Sequence, residues 1–252
     1  MGLEGRVALV TGGGRGIGRA VSLALAEDGA DVAINYRRDE QAAADTVAEI
    51  EKLGRRAAAF HASVDSWDED AAMVAAVLDE LGPVDILVNN AGIASRGHSV
   101  TDTDPAEFDR VWRTHTFGAF ALSKLVLPTM REQPRGDIVM VSSAATVHMA
   151  GYSSPYNVAK AGLEALARTL AKEERRNGIH VNVVAPGLVE TEMGRRLVKG
   201  AAGVEDITTL HESSPFGHVC SPEEVADVVR FLVSDAAGYL TDQKVTIDGG
   251  TF

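Results

Sequence analysis

The sequence is poor in cysteine and in long apolar runs. Its 252 residues contain one cysteine, Cys220, so an intrachain disulfide is excluded and a reducing compartment is predicted. No apolar run approaches the ~18 residues that a membrane-spanning helix needs. The first residues enter a predicted strand directly, so we expect no signal peptide. The expected location is the cytoplasm, with no membrane partner.

Positive charge is also scarce. The chain has 24 Lys and Arg against 36 Asp and Glu, a formal net charge of −12. A nucleic-acid-binding surface needs a basic field for phosphates, so nucleic acid is not an expected partner. The histidines show no spacing typical of metal ligands, and no metal is expected. The remaining composition is that of an ordinary globular protein.

Short apolar segments alternate with segments of helical period along the whole chain. Strands are predicted at 6–11, 31–36, 57–61, 84–89, 136–143, 179–185 and 244–248. Helices are predicted at 17–27, 40–53, 68–81, 105–130, 155–177 and 222–233, and 187–220 is predicted to be irregular or weakly helical. The strands are apolar throughout, which is typical of a parallel sheet covered on both faces. We predict one doubly wound α/β domain over residues 1–252, with a seven-stranded, mainly parallel sheet.

A glycine-rich segment joins the first predicted strand to the first predicted helix. Glycines let the backbone approach a pyrophosphate, and the helix N-terminus supplies free N–H groups and a partial positive charge. A tight turn alone would explain the glycines, but their place between strand and helix favours a dinucleotide. The residues predicted to hold it are Gly12, Arg15, Gly16, Ile17 and Gly18.

The second predicted strand ends in a way that bears on the choice of dinucleotide. It ends at Tyr36, followed by Arg37 and Arg38, where an acidic residue would bind the ribose 2′-hydroxyl of NAD. Guanidinium groups pair with a 2′-phosphate instead, and Arg15 adds another. NADP(H) is therefore the predicted cofactor, with NAD(H) as the alternative. The other interpretation of Arg37 and Arg38 is as surface charges beside the two acidic residues that follow.

Tyr156 and Lys160 stand four residues apart at the start of a predicted helix. This spacing places their side chains on one face, one turn apart. A nearby ammonium lowers the pKa of a phenol, which is ordinarily ~10. The preceding strand ends in Ser142 and Ser143, so a hydroxyl and a phenol would serve as two donors for one carbonyl oxygen. The spacing also arises by chance, and its weight depends on the rest of the chain.

Five motifs occur together and in order along the chain. They are Thr-Gly-x-x-x-Gly-x-Gly at 11–18, Asn89-Asn90-Ala91-Gly92, Ser143, Tyr156-x-x-x-Lys160 and Pro186-Gly187. With these motifs the chain resembles a single-domain member of the short-chain dehydrogenase/reductase family, and most closely its 3-oxoacyl-ACP reductases. The resemblance covers essentially the whole chain and implies a Rossmann fold.

The resemblance also implies roles for individual residues. Tyr156 would be the general acid in carbonyl reduction and the general base in alcohol oxidation. Ser143 would bind the reacting oxygen, and Lys160 would hold the nicotinamide ribose and lower the pKa of Tyr156. The other implied cofactor contacts are Ser63, Val64, Asn90, Ala91, Gly92, Pro186, Gly187, Val189 and Thr191.

Three residues depart from the family pattern. His115 stands where the family usually has Asn, whose backbone helps to hold a water for proton relay next to the Lys; a His can fit there, and His115 is kept as a catalytic candidate. Ser63 replaces a frequent Asp beside the adenine, which implies softer adenine contacts. Asp242 replaces a Gly near the end of the chain.

Further implications concern the substrate and the assembly. Residues 188–215 match the lid over the substrate, and their apolar content favours a partly apolar substrate. The helices at 105–130 and 155–177 match those that pair between subunits, so a symmetric homotetramer is predicted.

The leading hypothesis is an NADP(H)-dependent oxidoreductase acting on CH–OH donors, which reversibly reduces a carbonyl to a secondary alcohol. Its expected substrate is a 3-oxoacyl-ACP or another acyl thioester; the alternatives are a small ketone, sugar, quinone, steroid or secondary alcohol. An acyl carrier protein is acidic and would need a basic patch near the mouth of the site. The candidates for that patch are Arg131, Arg135, Arg175 and Arg176.

The sequence disfavours two other classes of function. Sugar-nucleotide epimerases and dehydratases of the same superfamily need a longer C-terminal domain and a different glycine spacing. A catalytically idle NADP(H)-binding regulator is disfavoured by the complete set of Ser143, Tyr156 and Lys160, and only His115 favours it.

Overall fold

The computed structural model describes residues 2–251, which form a sheet with helices on both faces. The strands are β1 (Val7–Thr11), β2 (Asp31–Tyr36), β3 (Ala57–His61), β4 (Ile86–Asn89), β5 (Gly136–Val141), β6 (Ile179–Pro186) and β7 (Lys244–Ile247). Their order in the sheet is β3-β2-β1-β4-β5-β6-β7. Each neighbouring pair is parallel. The predicted doubly wound fold is confirmed, and the sheet is parallel throughout.

Nine α-helices lie within the described residues. They are α1 (Gly16–Glu27), α2 (Glu40–Lys52), α3 (Trp67–Glu80), α4 (Pro105–Trp112), α5 (Gly118–Met130), α6 (Ala145–His148), α7 (Ser154–Glu174), α8 (Glu192–Ala202) and α9 (Pro222–Leu232). Helices α3, α5 and α7 share one buried apolar cluster with the sheet. Helices α1, α2 and α9 share another. Alternate strand residues enter the two clusters because successive side chains of a strand point to opposite faces. Among residues 2–251, no helix is both long and apolar enough to cross a lipid bilayer.

The helix predicted over 105–130 is interrupted in the middle. A π-helical segment, Arg113–Phe117, separates α4 from α5. The Arg113 guanidinium lies 4.4 Å from the centre of the Phe117 ring and donates to the backbone oxygen of Asp65 at 2.9 Å. The segment places His115 among buried residues. Such π-turns are rare and occur often at functional sites.

The segment predicted to be irregular or weakly helical contains a regular helix at residues 192–202. The helix α8 begins after Thr191, whose Oγ1 accepts a hydrogen bond from Gly194 N–H at 3.0 Å. It ends at Gly203, which has a φ of 68°. Glycines at 194 and 200 lower the helix propensity of the segment, but the cap at each end and a small buried cluster of Val198, Ile207 and Val219 stabilise it.

Helix α3 carries a buried carboxyl group that has no hydrogen-bond partner among the described residues. Asp70 is 0% exposed, and within residues 2–251 neither of its side-chain oxygens has a hydrogen-bond partner. Burial, together with the charges of Asp65 and Glu69, raises the pKa of Asp70 to about 7. The native protein therefore holds a proton at Asp70 that the unfolded chain has already released near pH ~4.

We expect Asp70→Asn to stabilise the protein increasingly as the pH rises. Between the unfolded pKa of ~3.8 and the folded pKa, the native state binds the extra proton, so the free energy of unfolding of the wild type falls with pH. The advantage of Asn should grow by about 3 kcal/mol between pH ~5 and pH ~8. Urea unfolding at the two pH values measures it. Asp68→Asn, an exposed acid on the same helix, is the control and should show no such growth.

Candidate active site

The three main catalytic candidates meet at the carboxyl edge of the sheet. Ser143 follows the end of β5, and Tyr156 and Lys160 lie in the first two turns of α7. The Lys160 ammonium is 5.7 Å from the centre of the Tyr156 ring. It is buried and donates a hydrogen bond of 2.6 Å to the backbone oxygen of Val141. The sequence spacing thus places the phenol and the ammonium side by side, as predicted.

Burial dominates the electrostatics of this pair. It lowers the pKa of Lys160 to about 7, although the Glu164 carboxylate acts in the opposite direction. Burial also raises the pKa of Tyr156, and a hydrogen bond with Ser143 only partly opposes this. The direction for Tyr156 is opposite to the predicted one. The phenol therefore keeps its proton at neutral pH and is available as a proton donor.

His115 lies behind Tyr156. The two rings meet edge to face at 86°, with their centres 5.4 Å apart. His115 Nε2 lies 2.8 Å from the backbone oxygen of Ile93 and 3.1 Å from its N–H nitrogen. Burial and the Lys160 charge lower the pKa of His115 to about 3, so the ring is neutral.

The space for the His115 ring is tight. A Cβ added to Gly92 would lie 2.5 Å from Cε1 of His115, so the ring requires glycine at 92. His115 Nδ1 is buried and has no hydrogen-bond partner within residues 2–251. Within the described residues, one nitrogen of the ring that packs against the phenol therefore has no hydrogen-bond partner.

The glycine-rich segment is closed by side chains from neighbouring strands. Asn90 Nδ2 donates to the backbone oxygen of Thr11 at 2.8 Å, and Asn35 Oδ1 accepts from Gly12 N–H at 3.3 Å. A Cβ added to Gly18 would lie 2.2 Å from the backbone oxygen of Gly12. The helix and the loop therefore approach each other too closely for any other residue at 18.

The N-terminus of α1 differs from those of the next helices. Asp39, Ser66 and Asp104 each cap their helices by accepting a backbone N–H. The N-cap of α1, Arg15, makes no such bond, and the first turn of α1 contains no acidic residue. Uncapped N–H groups with no competing carboxylate are suited to bind an anion, so the residues fit the pyrophosphate of a dinucleotide.

The loop after β6 closes the other side of this cleft. A Cβ added to Gly16 would lie 3.3 Å from Cγ2 of Thr191, so the two predicted cofactor segments are in contact. Val189 is 5% exposed and pairs with Cys220 in a short parallel bridge. Its side chain is buried, so any contact of Val189 with a cofactor would use its backbone.

The predicted adenine end has one feature that the sequence analysis missed. Arg15, Arg37 and Arg38 are exposed, as a 2′-phosphate site requires. Asp65 lies next to Arg37, with Oδ2 3.9 Å from Arg37 Nη1 and Oδ1 2.5 Å from Ser63 Oγ. The sequence could not reveal this carboxylate as part of the site. Asp65 and Arg37 are far apart in the chain and come together only because β2 and β3 pair in the sheet.

Within residues 2–251, Asp39 forms no ion pair with Arg37 or Arg38. Its side chain instead accepts from Ala42 N–H at 3.1 Å and caps α2. One of the two acidic neighbours that would have explained Arg37 and Arg38 as ordinary surface charges therefore has another structural role.

The arginines proposed as a basic patch lie far from the site within one chain. Arg135 directly precedes β5, whereas Ser143 follows the other end of that strand. Arg175 and Arg176 follow the last turn of α7, about 30 Å from its first turn at ~1.5 Å per residue. Arg131 and Arg135 are also bound to the carboxylates of Glu174 and Asp137. Within a single chain these candidate arginines therefore form no basic patch at the mouth of the site.

The chain is similar to known reductases over almost its full length. A family model described as enoyl-(acyl carrier protein) reductase matches residues 12–251. A 3-oxoacyl-(acyl-carrier-protein) reductase of Synechocystis sp. is 37% identical over 249 residues, which cover 98% of this chain and 97% of that protein. An L-rhamnose 1-dehydrogenase (NAD(P)(+)) of Sphingomonas sp. is 35% identical, with 99% and 97% covered.

Solved structures are equally similar. The crystal structure of L-sorbose reductase from Gluconobacter frateurii, complexed with NADPH and L-sorbose, has a TM-score of 0.91 and 30% identity over 99% of this chain and 97% of that one. A short-chain dehydrogenase from Burkholderia cenocepacia in complex with NADP has a TM-score of 0.89 and 34% identity, with 98% of each chain covered. The sequence motifs, the sheet and these similarities agree: the chain belongs to the short-chain dehydrogenase/reductase family of oxidoreductases.

Proposed function

We propose that the protein is an NADP(H)-dependent reductase that converts a carbonyl to a secondary alcohol, and that the reaction is reversible. The observation that carries this proposal is that the Tyr156 phenol is hydrogen-bonded with the Ser143 hydroxyl and has the Lys160 ammonium 5.7 Å from the centre of its ring. This set lies at the same edge of the sheet as the uncapped N-terminus of α1. A carbonyl oxygen bound there would meet two hydrogen-bond donors and, below about pH 7, an ammonium.

Ser143, Tyr156 and Lys160 have different roles in the proposed reduction. Ser143 Oγ accepts a hydrogen bond from Ala145 N–H at 3.1 Å, so its own proton remains to polarise the substrate oxygen. Tyr156, protonated at neutral pH, donates its proton to the oxygen as charge develops there. Lys160 stabilises the resulting phenolate. A bound nicotinamide supplies the hydride.

His115 supports the proton donor in this mechanism. Its neutral ring packs edge to face against the phenol, and Ile93 fixes its orientation. A charged imidazole at this position would oppose the Lys160 ammonium, and burial excludes it. We therefore propose that His115 packs against the phenol in the active site and does not prevent turnover.

The cofactor proposal is NADP(H) rather than NAD(H). Gly12, Gly16, Ile17 and Gly18 would hold the pyrophosphate, and Asn90, Ala91 and Gly92 would line the cleft. Tyr36 and the exposed Arg15, Arg37 and Arg38 would surround the 2′-phosphate, and Ser63 and Val64 the adenine. Pro186, Gly187, Val189 and Thr191 would hold the carboxamide, and Lys160 the ribose. The complexes of similar enzymes with NADPH and NADP support this choice.

We expect Arg37→Asp to weaken NADPH binding by about 10- to 100-fold, because a charge-assisted pair to phosphate contributes ~1.5–3 kcal/mol. The Kd for NADH should change by less than about threefold, since NADH carries no 2′-phosphate. Fluorescence titration with both nucleotides measures this. Arg175→Asp makes the same charge change at the opposite edge of the sheet and is the control. An equal loss for both nucleotides would contradict the assignment of Arg37.

The substrate proposal is a partly apolar carbonyl compound, with a 3-oxoacyl thioester as the first candidate. The similar 3-oxoacyl-(acyl-carrier-protein) reductase supports a thioester, and the similar L-rhamnose 1-dehydrogenase supports a sugar as the alternative. Apolar side chains are exposed after β5 and in the proposed lid, residues 188–215, as a partly apolar substrate requires. They include Val147, Met149, Tyr152, Met193 and Leu197.

A substrate panel tests the proposed function. Purified protein should oxidise NADPH with at least one member of a set of 3-oxoacyl thioesters, quinones, sugars, steroids and small ketones. Thioesters on CoA and on acyl carrier protein should be compared, because the arginines expected to attract the carrier do not flank the site of the same chain. Tight NADPH binding without any turnover would favour the regulator instead.

We propose a single domain that forms a homotetramer in the cytoplasm. A groove between α5 and α7, lined by Phe120, Leu127, Leu166 and Leu170 among others, supports pairing of these helices between subunits.

A further inference from the structure

A carboxylate on α7 connects the catalytic helix to the chain on both sides of Ser143. Glu164 lies one helical turn beyond Lys160. Its Oε1 accepts a hydrogen bond of 2.6 Å from Ser142 Oγ and lies 2.8 Å from Thr146 Oγ1. Ser142 immediately precedes Ser143, and Thr146 follows it by three residues, so one carboxylate bridges the whole turn that carries the Ser143 hydroxyl.

Thr146 extends this bridge to the backbone of Ser143. Its hydroxyl is 2.9 Å from the backbone oxygen of Ser143, so its single proton is shared between that oxygen and Glu164. Lys244 Nζ, from β7, donates to Thr146 Oγ1 at 2.6 Å and lies 2.9 Å from Glu164 Oε1. The negative charge is therefore matched by an ammonium, and the bridge joins β5, α7 and β7.

The bridge holds atoms that decide where the catalytic groups lie. Ser142 is 3% exposed, and its hydroxyl is bound to Glu164, so it is a support for the site rather than a second donor to substrate. The backbone oxygen of Val141, directly before Ser142, accepts the bond from Lys160. A shift of the end of β5 against α7 would therefore change the distances among Ser143, Tyr156 and Lys160 together.

We propose that Glu164 is a positioning residue: through Ser142 and Thr146, and with Lys244 as its counter-ion, it fixes Ser143 relative to Tyr156 and Lys160. This inference rests on the proposed function, which assigns those three residues to the reaction. The reason for a large effect is geometric, since misplacement of a reacting group by about 1 Å costs up to ~100-fold in rate.

The effect of the Glu164 charge has to be distinguished from the effect of its hydrogen bonds, because the carboxylate also acts on the Lys160 ammonium. Arg168, Asp242 and Lys244 line a small cavity together with Glu164 and are the other charged groups around it. Glu164→Gln removes the charge but keeps an oxygen that can accept from Ser142 and Thr146. Glu164→Ala removes both. Thr146→Val breaks the bridge from its other end without touching the carboxylate.

The experiment compares these three variants with wild type and with Glu51→Ala, a substitution of an exposed acid on α2. We expect Glu164→Ala and Thr146→Val to lower kcat by about 30- to 100-fold. Glu164→Gln should stay within about fivefold of wild type, and the Kd for NADPH should change by less than about threefold in every variant. Glu51→Ala should have no effect.

Amide hydrogen exchange on the protein without nucleotide gives a second readout that needs no turnover. In Glu164→Ala and Thr146→Val the amides of residues 142–147 should exchange at least about tenfold faster, while those of β1 remain unchanged. Faster exchange with an inactive wild type would contradict the proposed function but support the bridge. Unchanged exchange and a kcat within about twofold of wild type in Glu164→Ala would overturn the inference. An equal loss of kcat in Gln and Ala would overturn it too, because charge alone would then explain the effect.

Discussion

Replacement of Tyr156 by Phe is expected to lower kcat for carbonyl reduction by about 10³-fold, the loss typical of removing a positioned proton donor. The substitution removes one oxygen from a half-buried ring that packs against His115, and it leaves the packing in place. Ser143 and Lys160 would still bind and polarise the carbonyl, but no group of comparable acidity would deliver a proton to it. Steady-state rates of NADPH oxidation with an active substrate measure the effect.

Measurements of NADPH binding should distinguish loss of the proton donor from damage to the cofactor site. The Kd for NADPH of Tyr156→Phe should remain within about threefold of wild type, because the change acts on a step after binding. Tyr239→Phe, at a fully exposed tyrosine, is the matched control and should leave kcat unchanged. A Tyr156→Phe variant with an ordinary rate would contradict the role of the phenol.

Replacement of Lys160 by Met is expected to lower kcat/KM by about 10²-fold or more. A unit charge 5.7 Å from the phenol ring stabilises a phenolate by about 3 kcal/mol at an effective dielectric constant of ~20, which is about a hundredfold in rate. Burial alone raises the pKa of Tyr156, so without the ammonium the phenolate left after proton transfer would have no compensating charge. Binding of NADPH should also weaken, since Lys160 is assigned to the ribose.

The activity that depends on the Lys160 ammonium should fall as the pH rises. The pKa of Lys160 is lowered to about 7, so the ammonium is present below that pH and lost above it. The wild-type kcat/KM for reduction should therefore fall as the pH rises through about 7, since this ratio reports the free enzyme. Lys160→Met should lack that limb of the profile. The control is Lys172→Met, an exposed lysine on the same helix, which should keep it; a limb that persists in Lys160→Met would contradict the assignment.

Local apolar patterns were sufficient to predict most of the architecture. The bounds of β2 and β3 were predicted without error, because turn residues bracket short apolar runs. The glycine-rich segment and the Tyr156/Lys160 pair were predictable for a related reason. Each depends on residues close in the sequence, whose relative position follows from one strand end or one helix turn.

The features that were missed depend on contacts between distant segments. The π-helical segment at 113–117 lies inside a stretch that the sequence predicts as one continuous helix. Helix α8 is stabilised by its caps and by a small cluster that includes Val219. Glu164 meets Ser142, Thr146 and Lys244 only after β5, α7 and β7 have come together.

The direction of the pKa of Tyr156 was missed for a different reason. Sequence spacing places an ammonium beside the phenol, and the ammonium alone would lower the pKa. The spacing contains no information on how far both groups are withdrawn from water. Burial proves to be the larger effect for both, and it leaves a protonated phenol, the form that a carbonyl reductase requires at the start of the reaction.

The most direct test of the central claim follows the hydride itself. The protein is incubated with NADPH deuterated at either face of the nicotinamide C4, together with each carbonyl compound of the panel, and the products are analysed by mass spectrometry and NMR. We expect deuterium from one face only, bound to the new carbinol carbon, at a rate that Tyr156→Phe lowers about 10³-fold. Tight NADPH binding with no labelled alcohol from any compound of the panel would contradict the claim.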